Sequence, residues 1–568
     1  MQKLESFIGM RGLLSAVTWA ACAWPGLTSA IEIETGNPDL KIRWDNTVRY
    51  SLGIRARDCD PNICGNGAGA GDITAHQSDR HFGKAGDVIT NRLDLLSEFD
   101  AVYKDDMGLR LSGAGWYDQA YRDTRVGGDP FLLAAGFQAF PTGHYTDFQK
   151  RFYRGPSGEF LDAFVFGKAS LGDVPVTAKL GQHNVYWGES IFSFVGGVAN
   201  GQGPVDLRKA IATPGTEAKE LFLPLNQASF SAALTDRLQL MGQYFLDYKP
   251  SRLPEGGTYF GPVDFYTQGS QPLITPFGVP FENVMPEQKR GDWGLALKWR
   301  PEWLDGTAGM YYRQYTDKFP QLVFTGSAVQ GDYRTPRQEL LGFSLAKQFA
   351  GISFGSDITY RKDAQIVATP LANVTPFIIP GLVGGGVTPG SDWRPRGDVA
   401  TALVNAIAYF GKTSVFDSAS LTAELNYSRL QAVTFDPYNL YYGRTQNCGS
   451  TGVATNHGCP TKDAWGLAVL FEPKWFQVLP SLDLSMPMFL GVGLKGNSPV
   501  PFGDNEGQGN YSIGLSADYE AKYNITLKFN GFLAKHSQDQ LGVASFSNAS
   551  LGKYWDRNWV SLTFKTTF

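Results

Sequence analysis

Charged residues are concentrated in one stretch that is otherwise rich in glycine and alanine. The stretch holds Asp-Leu-Arg-Lys at 206–209 and Gly-Thr-Glu-Ala-Lys-Glu at 215–220. Side chains of opposite sign can pair with charges on a surrounding wall, and rings of charged side chains set selectivity in pores. The chemistry offered is therefore either recognition of a solute or ion pairing that holds the stretch in place. The sequence leaves both open.

The usual catalytic side chains show no comparable pattern. The chain has 6 histidines, and none of them lies in a His-x-x-x-His or Gly-x-Ser-x-Gly context, the spacings that hold zinc or present a nucleophile. Acidic and basic residues are nearly balanced, 54 against 50, and this is not the basic surface that nucleic acid requires. We therefore expect no enzyme, no cofactor, no metal site and no nucleic-acid partner.

Four of the five cysteines form two close pairs in the sequence, Cys59 with Cys64 and Cys448 with Cys459. Each pair lies in a stretch rich in glycine and asparagine, and an oxidising compartment converts such pairs to local disulfides. His457 could join the second pair in a zinc-like set, but no fourth ligand stands at a usual spacing. We therefore predict two loop disulfides, Cys59–Cys64 and Cys448–Cys459.

The first thirty residues predict secretion. Lys3 and Arg11 precede an apolar run over 12–23, and Thr28-Ser29-Ala30 offers small residues for cleavage. This is the pattern of a signal peptide, and it is too short to serve as a stable membrane span. We assign residues 1–30 to the signal peptide.

The stretch from Lys41 to Arg55 indicates which elements position the charged residues. Its even positions are mainly apolar or aromatic, as at Ile42, Trp44 and Ile54, and its odd positions are mainly charged or small polar. A period of two held over this length places one face in lipid and the other in water. At ~3.3 Å per residue and a tilt of ~40°, about fourteen residues cross a bilayer with its interfaces.

The same alternation recurs and predicts about eighteen strands. They are 41–55, 91–103, 109–119, 159–169, 176–187, 227–234, 237–248, 292–300, 307–316, 340–348, 352–361, 398–409, 421–430, 465–472, 482–494, 511–521, 523–535 and 559–568. Connections after the odd strands are mostly long and those after the even strands are short, as in outer-membrane barrels, whose long loops are extracellular. Pro487 removes a ladder donor and predicts a local break.

The fold class that follows is all-β, a transmembrane antiparallel β-barrel of about 18 strands over residues 31–568. Aromatic residues make up 13% of the chain and its mean hydropathy is −0.20, which excludes a helical membrane protein but fits strands that are apolar on one side only. Unpaired backbone groups in hydrocarbon cost several kcal/mol each, so the sheet must close.

The last strand resembles an assembly signal. Val560, Leu562, Phe564 and the terminal Phe568 share one face, and apolar residues at alternate positions before a final Phe resemble the C-terminal signal by which outer-membrane barrels are recognised. Thr566 departs from that pattern. We expect the barrel assembly machinery and outer-membrane lipid as partners.

The charged stretch follows the fifth predicted strand. We expect the segment 188–225 to fold into the lumen as the one inward loop, to narrow the pore and to place Asp206 and Glu220 opposite the arginines of the first three strands. Water in a large lumen would keep such pairs weak, at ~1 kcal/mol each. The predicted substrate-path or constriction residues are Arg43, Arg49, Arg92, Glu98, Arg110, Trp187, Glu189, Asp206, Arg208, Lys209, Glu217 and Glu220.

Four motifs in order carry a family resemblance. They are Gly-Gln-His-Asn-Val-Tyr-Trp-Gly-Glu-Ser at 181–190, the two charged motifs at 206–209 and 215–220, and Leu-Pro-Glu-Gly-Gly-Thr-Tyr at 253–259. With them the chain resembles an uncharacterised family of bacterial outer-membrane proteins, domain of unknown function number 1302, although His183-Asn184 stand where that family tends to carry Gln and Val. The resemblance covers essentially the mature chain. It implies an outer-membrane barrel that works beside other envelope proteins in handling hydrophobic molecules.

We therefore predict a channel or transporter for hydrophobic or amphipathic compounds in the bacterial cell outer membrane. Its partners would be a small-molecule substrate and periplasmic or envelope transport proteins. The inward arginines leave open a substrate-specific diffusion porin for small polar or acidic solutes, and a non-conducting structural barrel is the third alternative.

Overall fold

The computed structural model describes most of the chain after the predicted signal peptide. The described residues are 31–60, 81–126, 140–193, 195–261, 268–269, 271, 281–284, 290–324, 329–332, 334, 336–368, 392–441, 443, 459–534 and 554–568. Within this part of the chain, no helix is long and apolar enough to cross a membrane.

Strands dominate the structure. They are β1 (Ile31–Ile33), β2 (Leu40–Arg55), β3 (Val88–Tyr103), β4 (Met107–Asp118), β5 (Ser157–Leu171), β6 (Val174–His183), β7 (Leu225–Thr235), β8 (Leu238–Phe245), β9 (Phe281–Val284), β10 (Trp293–Trp299), β11 (Gly306–Thr316), β12 (Gln321–Phe324), β13 (Val329–Asp332), β14 (Arg337–Phe349), β15 (Ile352–Gln365), β16 (Arg396–Phe410), β17 (Ser418–Phe435), β18 (Asp463–Leu479), β19 (Leu482–Ser485), β20 (Met488–Lys495), β21 (Gly509–Tyr519), β22 (Tyr523–Leu533) and β23 (Trp559–Thr567). The short helices are α1 (Asp147–Gln149), which continues as a π turn over Lys150–Arg154, α2 (Leu207–Ala212), α3 (Ala218–Leu221) and the 3₁₀ turns Gln119–Tyr121 and Glu302–Leu304.

Eighteen antiparallel strands close into one barrel. Each strand pairs with the next around the ring from β2 to β23, with β19 and β20 acting as two parts of one interrupted strand. β23 then pairs with β2 from Thr47↔Thr567 to Arg55↔Trp559, which closes the ring. The backbone of Phe568 extends the seam through two hydrogen bonds with Asn46, at 2.7 and 2.9 Å. β1 lies beside the start of β2, and β9, β12 and β13 form a small separate sheet.

All eighteen predicted strands are confirmed, and so is the break at Pro487. The strand stops at Ser485 and resumes at Met488. Across the gap the N–H of Met486 donates to the carbonyl oxygen of Pro473, 3.0 Å away. The fifth strand ends earlier than predicted, at His183, because the chain beyond it turns into the barrel.

The barrel is apolar outside and polar inside, the reverse of a water-soluble protein. On β15, Ile358 and Tyr360 are 60% and 44% exposed, whereas Asp357, Thr359 and Arg361 are at most 2% exposed. The alternation of a strand puts the two sets on opposite faces, and an outward apolar band with a polar interior is the arrangement of transmembrane barrels.

The connections differ between the two ends of the barrel. At one end, here called the short-turn end, the strands are joined by 104–106, 172–173, 236–237, 300–305, 350–351, 411–417, 480–481 and 520–522. At the opposite, long-connection end they are joined by 56–87, 119–156, 184–224, 246–292, 317–336, 366–395, 436–462, 496–508 and 534–558. The predicted alternation of long and short connections is confirmed. Both cysteine pairs belong to the long-connection end.

Two predictions fall partly or wholly outside the described residues. Residues 1–30, the predicted signal peptide, are outside them. Cys59 and Cys459 are disulfide-bonded, but Cys64 and Cys448 lie outside the described part of the chain. The pairing of the four cysteines therefore stays a prediction.

Candidate functional site

The connection between β6 and β7 takes a long path between two neighbouring strands. His183 at the end of β6 pairs directly with Leu225 at the start of β7, yet residues 184–224 separate them. The side chains that hold this connection lie on strands around the rest of the ring, including β2, β15 and β17. The connection therefore crosses the barrel interior, and we call residues 188–225 the luminal segment.

Glu424 on β17 holds the first part of the luminal segment. Its carboxylate accepts backbone hydrogen bonds from Ile191 (2.6 Å), Phe192 (3.2 Å) and Ser193 (2.8 Å). Glu424 is fully buried. A buried carboxylate is stable when several donors satisfy it, and a carboxylate acceptor gives stronger bonds than a neutral one. This single side chain therefore fixes three consecutive backbone groups.

Asp357 on β15 holds the neighbouring turn in the same way. Its carboxylate accepts hydrogen bonds from the backbone N–H groups of Glu189 and Val198, each at 3.0 Å. On β16, Asn405 donates to the carbonyl oxygen of Glu189 and Thr401 donates to that of Gly196. Side chains on three adjacent strands therefore clamp residues 189–198.

Arginines on β11 and β15 continue the attachment. Arg313 donates through Nη1 to the carbonyl oxygens of Val198 (2.9 Å) and Asn200 (2.6 Å). The side-chain oxygen of Asn200 accepts from Arg361 at 3.1 Å and from the hydroxyl of Tyr315. Because all of these groups are buried, the bonds are shielded from competing water.

Asp206 is the centre of a buried charge cluster. It caps α2 by accepting from the backbone N–H of Lys209 (3.2 Å) and also accepts from Arg208 Nε (3.0 Å) and Arg252 Nη1 (3.2 Å). Burial alone would raise the pKa of this carboxyl, but the charges of Arg208 and Arg252 outweigh burial and hold the pKa well below its usual range. Glu159 on β5 ties the cluster to the wall through Arg252, at 2.6 Å.

A second charge cluster fixes the region around α3 to the strands at the barrel seam. Arg49 on β2 pairs with Glu220 at 2.8 Å, and Lys565 on β23 pairs with Glu217 at 2.7 Å. Burial would raise the pKa of Glu217, but its hydrogen bond to Lys565 and the nearby positive charges lower it. Lys219 pairs with the inward Glu98 of β3.

Trp187 and Glu189 lie where the chain enters the lumen. The Trp187 side chain is buried, and its ring centre lies 6.1 Å from that of Tyr311 on β11. Its backbone N–H donates to the side-chain oxygen of Gln202 at 2.8 Å. This hydrogen bond joins the chain before residues 189–198 to the chain after them. Glu189 is half-buried, and burial raises the pKa of its carboxyl.

Three predicted arginines do not meet the Asp206 carboxylate. Arg43 and Arg92 each pair with the aspartate two residues further along their own strand. Arg110 pairs with acidic side chains of the neighbouring strands β3 and β5. The prediction that Asp206 faces the arginines of the first three strands is therefore wrong. The Asp206 carboxylate pairs instead with Arg252, in the connection 246–292.

The predicted weakness of the pairs is also wrong. It assumed that water surrounds them, but the Arg49 and Glu220 side chains are only 3% and 4% exposed, and Asp206 is fully buried. Breaking a buried pair by removing one partner typically costs about 3–5 kcal/mol, because a charge is left without compensation. The clusters thus serve to hold the luminal segment in place.

Arg49→Ala should therefore destabilise the protein markedly. It leaves Glu220 buried without its cation, and we expect a loss of about 3–5 kcal/mol, measured as a lower midpoint of denaturant unfolding in detergent. Arg43→Ala is the matched control, because the Arg43 side chain is 63% exposed and its removal should leave the midpoint unchanged. Equal midpoints for the two variants would contradict the assigned role of Arg49.

A cavity of about 550 Å³ remains between the luminal segment and the inner wall formed by β4, β5 and β6. It extends from Lys318 and Phe319, in the long connection after β11, to Arg110, which is close to the short turn before β4. Its large apolar or aromatic lining residues include Phe164, Tyr186, Trp187, Ile191, Phe192, Phe222 and Phe319. The free space is therefore elongated along the wall and has a mixed polar and apolar surface.

Sequence reasoning missed Arg252, Asp357 and Glu424. Arg252 directly precedes the motif at 253–259, and both acids occupy the polar positions of predicted strands. The signal was present, because a charge at an inward position of a barrel strand needs a partner. Within the described residues no group of His, Cys, Asp or Glu is arranged to hold a metal ion.

The closed ring, its polar interior and the segment across it define a transmembrane-type β-barrel with the luminal segment folded into its interior. The chain belongs to the family described as protein of unknown function DUF1302, whose sequence profile matches residues 11–568, and this confirms the resemblance. No curated protein is significantly similar to the chain.

Three solved structures illustrate what the chain is similar to. They are a BenF-like porin from Pseudomonas fluorescens Pf-5 (10% identity, 93% of this chain and 98% of that chain, TM-score 0.40), OpdK with vanillate from Pseudomonas aeruginosa (10%, 93% and 98%, 0.38), and the outer membrane channel DcaP of Acinetobacter baumannii (8%, 95% and 100%, 0.36). The description of the barrel rests on the strand pairs of this chain itself.

Proposed function

We propose that this protein is an outer-membrane channel or transporter for hydrophobic or amphipathic compounds, with a lumen narrowed by the luminal segment. The observation that carries the proposal is the elongated cavity of about 550 Å³ along the β4–β6 wall. Pockets of this size with apolar walls and a few polar groups fit small organic molecules.

The attachment of the luminal segment supports a narrow path in preference to an open pore. Carboxylates and arginines on the wall bind its backbone, and two buried ion-pair clusters hold its helices. A solute must therefore pass through the space that the segment leaves. Aromatic side chains line that space, so a molecule with an apolar body gains contacts there that a small hydrated solute does not.

The outward surface supports the proposed location. Its exposed side chains include many leucines, phenylalanines, tyrosines and tryptophans, and such a band is stable against lipid rather than water. The predicted signal peptide and the resemblance of the last strand to an assembly signal support the same compartment. The barrel assembly machinery, outer-membrane lipid and periplasmic or envelope transport proteins are the partners that this location implies.

The proposal is tested by passage of two neutral solutes through proteoliposomes. Glucose and 2-naphthyl glucoside share the sugar, but only the second has an apolar body. We expect faster release of the larger naphthyl glucoside and a low single-channel conductance in planar bilayers. Faster release of glucose with a steady open current would instead identify a diffusion porin. Release of neither solute would identify a structural barrel. Either of these two results would overturn the proposal.

A further inference from the structure

Lys179 on β6 is the unpaired cation of the cavity. Three of the four basic residues in its lining, Arg110, Lys219 and Lys318, pair with carboxylates. Lys179 forms no ion pair within the described part of the chain, and its ammonium lies 5.1 Å from the centre of the Phe164 ring. A cation that faces a cavity and has no carboxylate in direct contact attracts an anion.

The acidic group nearest to this wall is already occupied. Asp162 on β5 lines the same cavity, and its carboxylate lies 3.3 Å from Arg110 Nε. Asp162 makes its close contact with Arg110 and acts on Lys179 only through space. The ammonium hydrogens of Lys179 thus remain available to a solute.

Apolar surface is exposed in the same cavity. Tyr186, which precedes the luminal segment, is 53% exposed, and Ile191 within the segment is 41% exposed. Both side chains lie inside the barrel. The Tyr186 and Phe222 rings meet nearly edge to face, with centres 5.1 Å apart. Large apolar side chains that stay exposed away from lipid usually mark a contact site. The cavity therefore offers both a positive charge on β6 and an aromatic surface.

We propose that this cavity binds an amphipathic monoanion. Its carboxylate or sulfonate group lies at Lys179, and its apolar body lies against Tyr186 and Phe222. This inference rests on the proposed function and names its substrate class. A charged hydrogen bond to the anion fixes the orientation, and the aromatic contacts supply the selectivity for an apolar body.

Equilibrium binding of naphthalene-2-carboxylate to the protein in lipid nanodiscs tests the inference, with empty nanodiscs as background. Naphthalene-2-carboxamide is nearly the same shape but neutral. We expect Lys179→Gln to weaken binding of the carboxylate about tenfold, the effect of losing one charged hydrogen bond, and to leave binding of the carboxamide unchanged. Phe222→Ala should weaken both, and acetate should not compete.

Lys528→Gln is the matched control. Lys528 on β22 lines a different cavity, so its removal takes the same charge from the barrel but not from this site. Equal carboxylate binding by the wild type and Lys179→Gln, or an equal loss in Lys528→Gln, would overturn the inference. Either result leaves the proposed function standing if naphthyl glucoside still passes faster than glucose. Faster passage of glucose would overturn the proposed function separately.

Discussion

Deleting Gly196–Ala212 should give an assembled barrel with a wider path. The deletion removes the Asp206 cluster and α2, while every strand of the ring is kept. The ends of the connection lie on paired residues, His183 and Leu225, so a shorter chain can still join them. We expect single-channel conductance to rise severalfold and larger neutral probes to be released from proteoliposomes.

The control for this deletion is a shortened connection elsewhere. Removing residues 442–458 in favour of a short turn keeps Tyr441, which shares a buried cluster with Val195 of the luminal segment, and conductance should stay near that of the intact protein. An unchanged conductance and unchanged size limit after deletion of Gly196–Ala212 would mean that the segment does not restrict passage. Heat-modifiable migration on gels shows whether each variant is assembled.

Glu424→Ala should release the first part of the luminal segment. The substitution leaves the partly buried N–H groups of Ile191, Phe192 and Ser193 without their acceptor, and a lost hydrogen bond costs about 1 kcal/mol of stability. Three such bonds amount to about 3 kcal/mol, enough to detach the turn locally. Hydrogen exchange should become fast at residues 189–198, and conductance should rise.

Glu472→Ala is the matched control for that substitution. Glu472 is another glutamate on a barrel strand, β18, but its side chain pairs with Lys474 rather than with the luminal segment. Its removal should leave exchange at residues 189–198 slow. If Glu424→Ala also leaves exchange and conductance unchanged, the backbone of the turn is held by other groups and Glu424 is not its anchor.

The fold was predictable because a barrel strand has a simple signature. Each strand alternates between lipid and lumen over its whole length, as from Lys41 to Arg55, so existence and order follow from the period alone. The break at Pro487 is predictable because proline has no N–H to donate to the neighbouring strand. The end of β6 was placed too late because Val185 and Trp187 continue the alternation after the chain has left the sheet.

The partners within the site could not be derived from the same period. Alternation shows whether a side chain faces lipid or the lumen. It does not show which residue of a loop contacts that side chain inside the barrel. Of the two acids expected to face the arginines of the first three strands, Glu220 does meet Arg49, whereas Asp206 meets Arg252 of another connection. The strength of the ion pairs depends on their burial, and burial depends on how tightly the long connections fill the lumen. No local sequence pattern shows that packing.

The most direct measurement of the central claim is a disulfide between the luminal segment and the barrel seam. A Cβ on Gly215 would lie 3.4 Å from Thr563 Cγ2, so the two Cβ atoms lie at most about 5 Å apart, close to the ~3.5–4.5 Å that a disulfide needs. Oxidation of the double variant Gly215→Cys, Thr563→Cys should therefore link the peptides that carry these positions, as mapped by mass spectrometry on assembled protein. Gly215→Cys with Ser344→Cys, on the distant β14, should give no link. Absence of the first link, or equal yields of both, would contradict a segment fixed across the lumen.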